Sequence, residues 1–341
     1  MKRLLLCRGI SVAIWLQAVA GAAAEYVTNY WTGAADGMWE DLSWSLGERP
    51  SMNQFVVAIT SRGDKTVTIG RNTALQYPET LSLQYLEVAG SDDSTNALLL
   101  RSVGLEVPLR ILYDLTVGRN GSFASVNSAL SVSKLAASGP CMIMGGTSSV
   151  SSVLLGLEAP AYLKLSQTLL SGSRFILGPQ DSIAGQETPF SSTVEQFGGT
   201  NALASALYIS GDSTYRLHAG TFRAGSLYLQ AYGNGAGLSR LVVSEGYADV
   251  GGILLGLPGM QNGEIRLESG QFNASRIHTM GGSFTQTGGT NLAHELRFPS
   301  VDEGRAKYAL LGGTLVSSNA TMNFIELPGS GGQQFFRLTR P

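Results

Sequence analysis

Charge is scarce in this 341-residue chain: Asp, Glu, Lys and Arg together make up 14% of it, against roughly 25% in ordinary soluble domains. That shortage removes several classes of function. The formal net charge is −2 and there is no basic run. The sequence therefore offers neither the phosphate-neutralising surface that nucleic acid requires nor the polybasic segment that an anionic membrane attracts. Histidine is rarer still. The three residues His218, His278 and His294 include no pair at a metal-ligating spacing such as His-x-x-x-His. Cysteine is limited to Cys7 and Cys141. Cys7 falls in a segment expected to be removed, which leaves Cys141 without a partner and excludes an intrachain disulfide. The neighbours Met142, Ile143 and Met144 make Cys141 read as a small buried core residue rather than a nucleophile. No stretch beyond the N-terminus sustains a helical period.

What the chain has in quantity is glycine, 43 residues of it, and the glycines are organised. The clearest case is Gly281–Thr290, Gly-Gly-Ser-Phe-Thr-Gln-Thr-Gly-Gly-Thr. Phe284 and Gln286 alternate with threonines between paired glycines, the pattern of a short strand between turns. Weaker copies are Gly198-Gly-Thr200, Ala219-Gly-Thr-Phe222, Ser269-Gly-Gln-Phe272 and Gly312-Gly-Thr-Leu315, with Gly145-Gly-Thr147 more distant. Tyr215-Arg-Leu-His-Ala-Gly-Thr-Phe222 parallels Tyr308-Ala-Leu-Leu-Gly-Gly-Thr-Leu315. The gaps are about twenty residues, and the long one from Thr221 to Gly270 has room for two units. A period this short fits one coil of a solenoid better than a propeller blade. Between the anchors lie β-prone triplets such as Leu227-Tyr-Leu229, Leu241-Val-Val243, Ile253-Leu-Leu255 and Ile265-Arg-Leu267, whose outer members face one way. The expected fold is therefore all-β: a single-stranded parallel β-helix of about a dozen coils. At 4.8 Å per coil it would form a rod roughly 60 Å long. The competing arrangement is a β-sandwich with glycine-rich hairpins.

Taken in order, residues 1–24 read as a signal peptide, with Lys2, Arg3 and Arg8 ahead of a mostly apolar run. Ala22-Ala-Ala24 offers small residues for cleavage before Glu25. An uncleaved anchor is the alternative, although the run is short for a membrane span. Residues 25–60 hold Trp31, Trp39 and Trp44. Residues 61–326 are solenoid repeats, degenerate as far as residue 195. Residues 327–341 read as a closing strand around Gln334-Phe-Phe-Arg-Leu338 and as a genuine terminus. No apolar stretch with a basic stop and no outer-membrane barrel pattern follows. The tryptophan segment followed by Val56-Val-Ala-Ile59 and Val67-Thr-Ile69, together with the Gly-Gly-Thr repeats, resembles secreted bacterial β-solenoid proteins of the autotransporter-passenger type. That resemblance implies an exported or cell-surface protein and names no substrate. On physical grounds, the tryptophans are expected to cap the exposed end of the first coil. The other reading has them stacking on sugar rings.

Chemistry is thinly spread. Parallel β-helices of the lyase and glycosidase kind need clustered carboxylates with a basic partner. Asp212, Asp249, Glu264 and Glu268 fall in the right region with Arg216, Arg223 and Arg266, yet they are scattered, and Asp92-Asp93 reads as a turn. Gly233-Asn-Gly-Ala-Gly237 lacks the Lys-Ser/Thr of a phosphate loop. The sequence thus assigns no catalytic, cofactor-binding or metal-ligating residue. It points to a structural or adhesive role in the envelope or matrix, with surface polysaccharide or other envelope or matrix components as partners, no nucleic acid, and no integral membrane segment once the signal is removed. A carbohydrate-active or carbohydrate-binding parallel β-helix is the alternative. A groove with at least three acidic side chains and a basic one would favour the enzyme.

Overall fold

The structure, a computed structural model, describes residues 27–91, 93–156, 158–178, 190–229, 237–256, 263–298, 307–322 and 325–326. The proposed signal peptide, Asp92, most of the Gly233–Gly237 loop and the closing strand around Gln334–Leu338 lie outside these residues. Within them the chain is an all-β parallel solenoid. The strand pairings are parallel, and the one antiparallel contact among the described residues is an isolated bridge between Trp31 and Trp44. This excludes the hairpin-based sandwich.

One ladder passes through thirteen strands. It begins with Thr28–Tyr30, Val56–Ile59, Tyr85–Val88 and Leu109–Val117 and continues through Ala129–Ala137, Thr147–Leu155 and Thr168–Leu177. It then takes the C-terminal parts of Ser192–Ile209 and Thr214–Leu229, followed by Tyr247–Leu255, Gln271–Thr279, Thr290–Phe298 and Thr314–Met322. A second ladder of shorter strands accompanies it, among them Pro140–Met144, Ala161–Ser166, Ser239–Val243, Gly263–Leu267 and Ser283–Gln286. The long strands do not stay straight. Their in–out alternation is interrupted by two successive outward residues, as at Gly251-Gly252, Ser275-Arg276 and His294-Glu295. Each such rung therefore has three arms and three corners.

The apolar triplets put their outer members inward, as alternation requires. Leu227, Leu229, Leu241, Val243, Ile253, Leu255, Ile265 and Leu267 are all buried. Register stacks them into columns. One inward column runs Leu98, Phe123, Cys141, Leu163, Val194, Tyr215, Leu241, Ile265, Phe284, Tyr308. Cys141 sits in this column 1% exposed, and burial pushes its thiol up to about 12. It packs as a core side chain.

The corner between the second ladder and the next rung is a fixed turn. It takes the same four-residue step at Gln196–Thr200, Leu217–Thr221, Val243–Tyr247, Leu267–Gln271, Gln286–Thr290 and Leu310–Thr314. The residue before the last in each step is a glycine with positive φ: Gly199, Gly220, Gly246, Gly270, Gly289 and Gly313. A Cβ on Gly270 would lie 2.5 Å from the Gly246 carbonyl oxygen, and one on Gly289 would lie 2.6 Å from that of Gly270. The glycines thus form a column in which each backbone rests on the one before. The opposite corner takes most of the variation in length: the chain needs Leu177 to Ser192 to cross it in one rung and only Thr279 to Gly282 in another, whereas the corner within the long strands varies by one residue, as between Gly172–Arg174 and Leu203–Ala206.

A buried polar cluster backs this turn twice. The Tyr215 hydroxyl donates to Gln196 Oε1 at 2.6 Å and accepts from Asn201 Nδ2 at 2.9 Å, while Gln196 Nε2 donates to the Thr221 carbonyl at 2.9 Å. Tyr308, Gln286, Asn291 and Thr314 repeat the arrangement at 2.5, 3.0 and 3.1 Å. The sequence signature Gln-x-Gly-Gly-Thr-Asn therefore belongs with the Tyr-x-Leu that follows it. Burial pushes both phenols above the ordinary tyrosine range. Tyr215→Phe should cost about 2–3 kcal/mol in urea unfolding, because Gln196 and Asn201 each lose a partner in a place water does not reach. An unchanged unfolding midpoint would show that the cluster contributes nothing to stability.

The N-terminal end differs. Trp31, Trp39 and Trp44 are 1%, 0% and 2% exposed. Their rings meet edge to face at 5.2 Å (Trp31–Trp44) and 5.0 Å (Trp39–Trp44). Trp44 Nε1 donates to the Trp39 carbonyl at 3.0 Å, and Trp39 Nε1 donates to the Thr80 carbonyl at 3.3 Å. Gly33 and Gly37 leave room for the Trp31 ring, which any Cβ there would meet. The tryptophans therefore cap the core from inside, and no indole face is free for a sugar. A short helix, Arg71–Gln76, and a 3-10 turn, Pro78–Leu81, replace the glycine corner in this region. The sequence pattern gave no sign of either.

Candidate functional site

The scattered acids and bases of the repeat region do not converge. Asp212 accepts the Leu238 backbone N–H at 2.9 Å in a turn. Glu264 lies between Arg240 and Arg266, at 3.2 and 2.9 Å. Glu268 accepts the Ser244 hydroxyl at 2.7 Å. Arg223 stands beside Asp249 in register. His278 pairs in register with Arg297 rather than with His294, so adjacent rungs keep the two histidines apart. Among the described residues no three His, Cys, Asp or Glu side chains are grouped to hold a metal ion, and no helix is long and apolar enough to cross a membrane.

Two places do gather functional groups. The first lies on the outer face of three successive rungs. Glu195 accepts the Tyr162 hydroxyl at 2.7 Å and sits 3.3 Å from His218 Nε2. The His218 ring stacks on Phe197 at 4.3 Å, and Lys164 Nζ stands 5.1 Å from the centre of that ring. The Tyr162 hydrogen bond and the neighbouring His218 and Arg216 hold the Glu195 carboxyl below its ordinary range, against burial. Burial first, then Glu195, pushes the Tyr162 phenol up to about 12. A raised phenol contributes stability that is complete below the unfolded value of 10.0 and is lost as pH rises through about 12. Glu195→Gln removes the charge, so the Tyr162 transition should move down toward 10.0. The tyrosinate absorbance difference between this protein and a Tyr162→Phe control reads that shift. No movement would mean that Glu195 does not act on the phenol. Every group of this cluster is already engaged with another, which makes it a surface staple between rungs.

The second place is a groove of about 400 Å³ along the corner of the long strands. One wall is the register column Asp249, Asn273, Leu292 and Val316, one residue from each of four rungs. The other is the outward corner position, occupied by Ser275, His294 and Ser318. Asn273 is held from both sides: Gln271 Nε2 donates to its Oδ1 at 3.0 Å and its Nδ2 donates to the Tyr247 hydroxyl at 2.7 Å. The Ser318 hydroxyl lies 2.7 Å from His294 Nδ1. The groove has one carboxylate, Asp249, and no lysine or arginine, short of the three acids and a base set out above for a lyase or glycosidase. Sequence reading assembled none of this, because each rung contributes only one to three residues. Counting from the turn glycine would have found it. Asp249, Asn273, Leu292 and Val316 each stand three places after Gly246, Gly270, Gly289 and Gly313, and Ser275, His294 and Ser318 stand five places after.

Comparison with protein-family models, with curated proteins and with solved structures finds no match to this chain.

Proposed function

We propose that the chain is an exported structural or adhesive rod of a bacterial envelope or extracellular matrix, of the autotransporter-passenger kind, and that it acts through its shape and outer surface. The observation that carries this reading is the unbroken parallel ladder of thirteen strands, about 60 Å from end to end. A rod of this length presents outward residues at a regular spacing, and some of its outer charges are tied up locally, as with Arg276 and Arg297 around Glu295. Such a body suits display and contact. The experiment is expression of the full chain in a Gram-negative host, followed by cell fractionation and N-terminal sequencing. Exported protein beginning at Glu25 is expected, whether free or retained by a barrel on another chain. Cytoplasmic protein that keeps residues 1–24 would overturn the proposal. A second reading, a carbohydrate-binding solenoid, is favoured by the corner groove.

A further inference from the structure

We infer that the corner groove binds a short run of neutral polysaccharide, laid along the rod axis. This deepens the adhesive reading above and rests on it for the biological role, though not for the binding itself.

The dimensions come first. The groove holds about 400 Å³, at the lower end of the range for small-ligand sites. It is long rather than deep, because its wall residues Asp249, Asn273, Leu292 and Val316 come from four consecutive rungs. Rungs repeat every 4.8 Å or so, nearly the length of one pyranose in an extended chain. Successive rings can therefore keep step with successive rungs.

The chemistry then selects among ligands. Leu292 and Val316, the latter 41% exposed, with Ala274 and Ala293 beneath them, give an apolar bed suited to the C–H face of a sugar ring. Asp249, Asn273, His294 and Ser318 supply acceptors and donors of the kind that bind hydroxyl pairs. Among the described residues the Asp249 carboxylate has no hydrogen-bonding or ion-pair partner, and His294 Nε2 is likewise unclaimed. Asn273 is pre-oriented by Gln271 and Tyr247, so binding need not order it. An anionic chain would meet the Asp249 charge inside the groove, whose lining holds no cation, Arg223 standing in register with Asp249 one rung beyond it. A metal ion would find one carboxylate where several oxygen ligands are needed. Nucleic acid would find neither an aromatic stacking platform nor a basic track.

The test uses the full-length exported protein and calorimetric titration with neutral hexasaccharides: β-1,4-glucan, β-1,3-glucan, β-1,4-mannan and N-acetylglucosamine hexamers, with a galacturonate hexamer as the anionic control. At least one neutral hexamer is expected to bind, and the galacturonate at least tenfold more weakly. Ser275→Trp fills the groove from an exposed position, and Asn273→Ala removes its pre-oriented amide. Each should weaken binding at least tenfold, Ser275→Trp with the thermal midpoint unchanged. The inference is overturned if none of the neutral hexamers binds with Kd below about 5 mM, if galacturonate binds best, or if affinity survives Ser275→Trp. Each of these outcomes leaves the fractionation result standing, so the site and the export proposal fail separately.

Discussion

Gly246→Ala is expected to cost about 3–5 kcal/mol in denaturant unfolding, whereas Gly47→Ala costs about 1 kcal/mol. Both glycines have positive φ, at +89° and +68°, so both substitutions place an L side chain in the left-handed region, at roughly 1–2 kcal/mol. They differ in what the new methyl meets. At Gly47 nothing lies within 4 Å. At Gly246 the Cβ would be 2.6 Å from the Gly220 carbonyl oxygen and 3.0 Å from its nitrogen. Backbone cannot swing aside as a side chain can, so two rungs have to part. The Gln271 N–H bond to the Gly246 carbonyl, 2.9 Å long, is part of the same turn, and weakening such bonds costs about 1–3 kcal/mol each. Paired equilibrium unfolding curves check this. Equal losses at the two sites would mean that φ alone explains the glycines and that the stacked column is of no consequence.

The same column explains which parts of the architecture were legible. A turn of fixed length with an obligatory glycine leaves a mark at a constant distance from the strand it starts, and the Gly-Gly-Thr copies are that mark. The early rungs hide it. There Ser128 and Thr168 stand in the glycine column, after Asn127 and Gln167, which themselves adopt positive φ. The turn persists while its signature fades, and residues 61–195 read as degenerate. The variable corner hides the period for the opposite reason: the number of residues between its flanking strands changes from rung to rung, and a longer connection adds little closure entropy. Inward Gln196, Asn201, Gln286 and Asn291 were also illegible as a set, because a buried amide is recognised by its partners, which lie a rung away. The groove is the extreme case. Its residues are spaced by whole rungs, and nothing local distinguishes Asp249 or His294 from a solvated side chain. What alternation and punctuation encode is the rod. What the register of rungs encodes is its surface.

The cap should show itself through how the rod unfolds. In a solenoid each rung is stabilised by its neighbours, so an end with one neighbour is the weak point unless something covers it. Trp39 does this covering: it is fully buried, packed edge to face on Trp44, and bonded through Nε1 to Thr80, which lies in the turn after the short helix. Trp39→Ala removes the largest kind of side chain from a place where the backbone cannot collapse to fill it, at about 3–5 kcal/mol. The loss should be local before it is global. Hydrogen exchange should accelerate in Val56–Ile59 and Lys65–Ile69, the second rung, while Gln271–Thr279 and Ser283–Gln286 keep their protection. The newly loosened strand edges should also make the variant prone to associate. Affinity for a neutral hexasaccharide should be unaffected, since the indoles offer no exposed face and the groove lies at the other end of the rod. If Trp39→Ala instead left exchange untouched and abolished saccharide binding, the tryptophans would be a sugar platform, and the stability of the N-terminal rungs would need another source.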